Sequence, residues 1–240
     1  MPAIEVNKLV KNYGSFKAVK GISFNLERGE IFGLIGPNGA GKTTTLRILS
    51  TLLTITDGKV KIMDFDLKDK PDEVRKIISY LPEDAGAYKN LTGREYLKFI
   101  ANFFGSKKTD ELVRTGVKIA DLGNRIDDKV ESYSKGMKRR LLVGRALMNN
   151  PRLAILDEPT SGLDVNNAQE IRNIIKNTTK DGTTILLSSH NMLEVEFLCD
   201  RIALINKGLI VEEGKPDDLM KKYKSKNIEE VFTKVVRWVL

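Results

Sequence analysis

One stretch constrains this chain more than any other: Gly-Pro-Asn-Gly-Ala-Gly-Lys-Thr-Thr, running from Gly36 to Thr44. Gly36, Gly41, Lys42 and Thr43 hold the fixed positions of the pattern G-x-x-x-x-G-K-[ST], with Pro37, Asn38, Gly39 and Ala40 between them. The segment before it, Ile31 to Ile35, is apolar enough for a buried strand, and Thr45 to Ser50 after it makes a good helix opening. A glycine-rich loop between strand and helix implies an α/β core. Glycines let the main chain approach dense negative charge closely. Successive N–H groups then point inward, and the following helix adds its positive end. Lys42 supplies a mobile charge for the β- and γ-phosphates of a nucleotide, and the Thr43 hydroxyl is placed for Mg2+, which prefers oxygen ligands. An ordinary glycine-rich turn capped by threonine would not need strand, loop and helix to agree.

At 240 residues the chain is long enough for one large domain or two small ones. Its net charge of +8 suits an anionic ligand, an anionic membrane surface, nucleic acid or plain solubility, and charge alone does not choose among them. A single cysteine, Cys199, excludes an intrachain disulfide framework and fits a reducing compartment. It falls on an expected helix, as buried filler. The start lacks the basic and apolar regions of a signal peptide. No run reaches 18 apolar residues, so the chain is not expected to span a membrane by itself.

In order, Ile4–Val10 and Ala18–Leu26 alternate as strands and suggest an N-terminal antiparallel sheet. Tyr13, between them, is able to stack on a base or to sit at a wet strand end. Gly58–Met63 reads as a strand, Pro71–Ile77 as a short helix, and Ile77–Leu81 as a strand stopping at Pro82-Glu83. Thr92 and Glu95 fit a capping box. Tyr96, Leu97, Ile100, Phe103 and Phe104 fall at helical spacing and are expected in the core. A second helix is expected over Thr109–Ala120. The block from Leu91 to Asn150 thus reads as a helical subdomain, 91–150, inserted into a core of 1–90 and 151–222, with a C-terminal helix or tail over 223–240.

Within that block, Lys138-Arg139-Arg140 follows Ser134 and Gly136. Bases at a helix start oppose its dipole unless an anion binds there. Ser134 as N-cap, with Gly136, leaves hydroxyl and N–H groups for such an anion. Leu153–Leu156 then leads into Asp157-Glu158, an apolar strand ending in acids. After a phosphate loop this pair reads as a Mg2+ ligand, Asp157, and a base for the attacking water, Glu158. Asp164 caps a helix to about Lys180. Thr183–Leu187 is a buried strand, followed by His190, the only histidine, at the sheet edge where ligands bind in open α/β folds. Strands at Arg201–Asn206 and Leu209–Glu212 form a hairpin, and Ile228–Leu240 is an amphipathic helix or tail.

Taken in order, these motifs resemble the nucleotide-binding subunit of ATP-binding-cassette transporters, over nearly the whole chain from Ile4 to Leu219, and in particular the single-domain ATPases of drug, antibiotic or sodium exporters. The resemblance implies an α/β phosphate-loop fold with a mixed, mainly parallel sheet, an N-terminal antiparallel β subdomain and an inserted helical subdomain. It implies ATP and Mg2+ as ligands and a head-to-tail dimer of two copies. It also implies a separate transmembrane subunit that meets the cleft near Glu83–Asn90, with no nucleic acid, at the inner face of the membrane. Tyr13 would stack on adenine, and Gly36 to Thr44 would wrap the phosphates. Glu83 would stand near Mg2+ where glutamine is usual, Glu158 would be the base, and His190 would sense the γ-phosphate. Ser134 and Gly136 would bind the γ-phosphate held by the other copy, and Asp164 would cross the dimer interface. The usual Leu-Ser-Gly-Gly-Gln is here Tyr133-Ser134-Lys135-Gly136-Met137, which keeps the serine and the second glycine. The rivals are a soluble relative acting in DNA repair or translation, and a nucleotide-dependent regulatory module without catalysis.

Overall fold

The computed structural model describes residues 1–105 and 108–239. Two long strands open the chain, β1 (Ile4–Tyr13) and β2 (Phe16–Leu26), joined by a tight turn in which Gly14 takes φ +58°. A bulge at Lys8 (φ +48°) interrupts the alternation of β1, and the strand continues past the alternating Ile4–Val10 stretch to end at Tyr13, before Gly14. β3 (Ile31–Ile35) is buried throughout and leads through the glycine-rich loop into α1 (Lys42–Leu49). β4 (Asp57–Ile62), β5 (Phe65–Asp66), α2 (Pro71–Ile77) and β6 (Ile78–Leu81) follow. Three helices come next: α3 (Gly93–Ala101), α4 (Thr109–Ala120) and α5 (Lys135–Leu147). The chain then alternates through β7 (Leu153–Asp157), α6 (Val165–Lys180), β8 (Thr184–Ser189) and the short α7 (Met192–Val195). It ends in β9 (Arg201–Asn206), β10 (Leu209–Gly214), α8 (Pro216–Lys222) and α9 (Ile228–Val239).

The strands form two sheets. One has the order β2-β1-β4-β5 and is antiparallel. The other has the order β10-β9-β3-β8-β7-β6, parallel except where β10 turns back on β9. Strands covered on both faces read as continuous apolar runs, as β3, β7 and β8 do. Their residues nevertheless serve two cores in alternation. Ile31, Ile35, Ala154, Leu156, Ile185 and Leu187 pack toward the helices. Phe32, Leu34, Leu153, Ile155 and Leu186 pack toward the antiparallel sheet and α1. The larger sheet is therefore the middle layer. Its register sets Ile35 beside Ser189 and Asp157 beside Ser188, so the ends of β3, β7 and β8 open on one edge.

In the helical block the capping box is present. Thr92 Oγ1 accepts from the Glu95 N–H at 3.1 Å, and Glu95 Oε2 accepts from the Thr92 N–H at 2.8 Å. α4 and α5 meet through glycines: a Cβ on Gly144 would lie 2.7 Å from the Gly116 carbonyl. Two expectations are corrected here. Tyr96 and Leu97 are buried, but Phe103 and Phe104 are 73% and 51% exposed. α3 stops at Ala101 and a 3-10 turn spans Asn102–Phe104, so the 3.6-residue spacing that would bring these rings inward is lost. Cys199 is buried as expected, but it follows the end of α7 in irregular chain instead of lying on a helix. α8 had no counterpart among the expected elements.

Candidate nucleotide site

The glycine-rich loop is fixed from three sides. Gly36 donates to the Ser189 carbonyl at 3.2 Å, and Gly208 in the β9–β10 turn donates to the Ala40 carbonyl at 3.0 Å. A Cβ on Gly36 would come within 2.1 Å of the Ile205 carbonyl oxygen, and one on Gly41 within 2.8 Å of that of Ala18. Gly41 also takes φ +105°, so glycine is required there by both space and conformation. Ala40 donates to Pro37 at 3.2 Å and closes the turn, leaving Pro37, Asn38 and Gly39 exposed at its tip, while Thr44 is half-buried. Gly41 is the N-cap of α1 but gives no side-chain capping bond, and the first turn holds no acid. The N–H groups of that turn are thus left for an external anion.

Lys42 stands at the centre, buried, donating to the Gly36 and Pro37 carbonyls at 2.6 and 3.3 Å. Its Nζ is 3.4 Å from Glu158 Oε1. The other Glu158 oxygen lies 2.8 Å from His190 Nδ1. Oε1 itself is buried without a hydrogen-bond partner among the described residues. Asp157 is fully buried; its Oδ1 accepts from the hydroxyls of Ser188 at 2.5 Å and Thr43 at 3.3 Å, and its Oδ2 from that of Tyr80 at 3.4 Å. Burial, then the Asp157 charge, pushes the Tyr80 hydroxyl up to about 12, against the pull of Arg47. Tyr80 therefore stays a donor and steadies Asp157.

The donor chemistry fits the ligands that the motifs imply. A triphosphate finds uncapped N–H groups and one lysine. Mg2+ needs few protein oxygens because it keeps several waters and shares phosphate oxygens. Thr43 and Asp157, already in contact at 3.3 Å, would offer two such oxygens.

Glu83 is exposed, yet it lines a cleft of about 260 Å³ together with Glu158, Lys135, Lys138 and Arg139. Tyr13, 47% exposed with Lys11 Nζ 5.4 Å from its ring centre, lies at the β1–β2 turn opposite the exposed Phe16. That hairpin reaches the loop through Ala18, against Gly41. Ser134 caps α5 as expected, its Oγ accepting from Met137 at 3.2 Å. Gly136 packs against α6: a Cβ there would meet Asn167 Oδ1 at 2.0 Å. Asp164 caps α6, accepting from the Asn167 N–H at 3.0 Å and from its side-chain amide at 2.5 Å, which holds the carboxyl below its usual range. The loop, Asp157, Glu158 and His190 thus converge, while Gly136 and Asp164 both meet Asn167 and Ser134 is occupied in capping α5.

Two of the three bases in the run after Ser134 have partners within the chain. Arg140 donates to the Ala120 carbonyl at the end of α4 and pairs with Glu170 at 2.8 Å. Arg139 turns inward onto five carbonyls, at Pro82, Glu83, Asp157, Glu158 and Pro159. Tyr80 was not singled out from the sequence, and Arg139 only as part of the basic run. A signal for Arg139 does exist: it shares a helical face with Leu142, Val143 and Ala146.

A strand–loop–helix with a buried lysine, and two acids at the end of a neighbouring strand, define a phosphate-loop nucleoside triphosphatase. Residues 19–161 match the family described as ABC transporter, and the chain belongs to it, as an ATPase. It is 38% identical over 218 residues to the linearmycin resistance ATP-binding protein LnrL of Bacillus subtilis, covering 90% of this chain and 70% of that protein. It is 35% identical to the Nod factor export ATP-binding protein I of Bradyrhizobium diazoefficiens, covering 96% and 76%. It is 34% identical to the ATP-binding protein NatA of Bacillus subtilis, covering 93% and 92%. A solved ATP-binding subunit of an ABC transporter superposes with a TM-score of 0.85 at 29% identity, over 98% of this chain and 99% of that one. A cassette in a dimeric post-hydrolysis state with ADP and Pi gives 0.77 at 27% identity, over 88% and 98%. Among the described residues no helix is long and apolar enough to cross a membrane.

Proposed function

We propose that this chain hydrolyses ATP as one half of a head-to-tail dimer and thereby drives export by a separate transmembrane subunit, at the inner face of the membrane. The observation that carries this reading is the split just described: the hydrolytic groups meet around Lys42, whereas Ser134 and Gly136 are held elsewhere by Met137 and Asn167. A second copy is what would bring a Ser134–Gly136 pair onto the phosphates. The names of the resistance and export relatives support the direction.

In this reading Gly36 to Thr44 wrap the triphosphate and Tyr13 stacks on adenine. Lys42 leaves Glu158 for the β- and γ-phosphates. Thr43 and Asp157, with Glu83 at the adjoining cleft, would hold Mg2+, which would supply charge neutralisation at the phosphates. Glu158 takes a proton from the water whose oxygen forms the new bond to the γ-phosphorus. The bond to the β–γ bridging oxygen breaks, and that oxygen leaves with ADP. His190 orients Glu158 and reads the γ-phosphate; Asp164 faces the partner copy. Nucleic acid is not an expected partner, since Arg139 and Arg140 are engaged internally. The membrane subunit would settle near Glu83–Asn90, where exposed Tyr88 and Phe99 meet edge to face at 5.4 Å.

Mixing two dead variants tests the dimer. K42A disables its own loop, and S134R disables the site that it completes in its partner. A mixed dimer retains one intact loop facing one intact Ser134, so ATPase activity should reappear on mixing. A mixture as inactive as its components would refute the shared site.

A further inference from the structure

Arg139 lies early in α5 and is 8% exposed. A guanidinium carries five N–H groups in one rigid plane, and each finds a carbonyl here. Nε donates to Pro159 at 2.7 Å; Nη1 to Pro82 at 3.4 Å and Glu83 at 3.1 Å; Nη2 to Asp157 at 3.0 Å and Glu158 at 2.6 Å. The acceptors come from two segments, the exit of β6 and the exit of β7. The second holds a strained residue: Glu158 takes φ +49°, a left-handed conformation unusual without glycine. Its N–H is tied to Ser188 Oγ at 3.1 Å. Its carbonyl and those on either side are tied to Arg139. Burial holds Arg139 below its usual pKa, and the carboxylates of Glu83, Asp157 and Glu158 oppose that shift.

We infer that Arg139 is a positioning residue for Glu158, linking α5 and the Pro82-Glu83 segment to the backbone that aims the Glu158 carboxylate at Lys42 and His190. The inference rests on Glu158 being the base. Because the guanidinium bonds main chain on the strand-exit segments, its loss should act on turnover more than on binding. A lysine gathers its donors on one atom and cannot span both segments. In R139K, kcat should fall about 10- to 100-fold, as misplacement of a reacting group by an ångström does, while ATP binding does not weaken. In R139A, millimolar guanidinium should restore turnover where sodium chloride at equal ionic strength does not.

The experiment measures ATP binding, kcat and melting temperature for wild type, R139K, R139A and E158Q. Wild-type kcat in an R139K protein that melts normally would overturn the inference, and so would an R139K loss in which binding weakens in step with kcat. If E158Q also turns over normally, it is the assignment of Glu158 that fails. If E158Q is inactive and R139K is unaffected, only the role of Arg139 fails.

Discussion

Replacing Glu158 by glutamine should stop hydrolysis and at the same time tighten ATP binding. The second effect follows from the resting geometry. Glu158 Oε1 lies 3.4 Å from Lys42 Nζ, with each side chain 6% exposed. At an effective dielectric of about 20, unit charges at that distance attract by about 5 kcal/mol before any desolvation is counted. ATP must draw Lys42 out of this pair and bring its own negative charge beside the carboxylate. Most of the lost attraction is returned by the phosphates, and Lys42 also has the Gly36 and Pro37 carbonyls. If about 1.4 kcal/mol is not returned, its removal by glutamine is worth a tenfold lower dissociation constant. Loss of the base should lower turnover by about 100- to 10,000-fold. Equilibrium binding of a fluorescent ATP analogue and phosphate release in a single turnover measure the two separately. Near-normal turnover would refute Glu158 as the base. Unchanged or weaker binding would refute the ion pair as a restraint on Lys42.

T43V removes the hydroxyl beside Asp157 at nearly constant shape; ATP titrations should show the Mg2+-dependent part of the affinity lost and the metal-free part retained. Y133F deletes a buried donor that reaches the Arg125 carbonyl at 2.7 Å. It should cost about 1 kcal/mol and lower the melting temperature by about 2–4 °C in a chain of this size, with ATP binding unchanged. The Tyr80 hydroxyl, raised to about 12 by burial and then by Asp157, holds its proton more tightly folded than unfolded. Its contribution is complete below its unfolded value near 10 and is lost as pH rises from about 10 to about 12. Denaturation across that range should show a weaker decline in Y80F than in wild type.

Signals carried by neighbouring residues were legible in the sequence. The strand and helix flanking Gly36–Thr44, the Thr92–Glu95 box, the Ser134 and Asp164 caps and the Asp157-Glu158 pair each rest on chemistry within a few positions. What could not be read depended on distant chain. Arg139 finds its acceptors at residues 82–83 and 157–159, through a sheet order that no local pattern encodes. Tyr80 looked like one more apolar strand residue until β6 was placed beside β7 and its hydroxyl reached Asp157. Phe103 and Phe104 misled for a different reason. Their spacing is helical, but a 3-10 turn replaces the last helical turn, and periodicity does not register a change of pitch.

The left-handed backbone at Glu158 resolves a geometric conflict. Successive side chains on a strand point to opposite faces, so Asp157 and Glu158 on an extended β7 could not both face the loop. They do face it: Asp157 reaches Thr43, and Glu158 reaches Lys42, the residue before it in α1. The turn at φ +49° brings the second acid round, at a penalty of about 1–2 kcal/mol for a residue with a Cβ. Glycine avoids that penalty, and E158G, like E158Q, gives up the Oε1 ion pair with Lys42. E158G should therefore lose hydrolysis yet melt at or above E158Q, even though glycine gives up more chain entropy on folding. Thermal unfolding of the two variants without nucleotide decides it. If E158G melts clearly below E158Q, the backbone at this position is not strained, and its conformation must be explained by something other than the demand that two adjacent carboxylates serve one site.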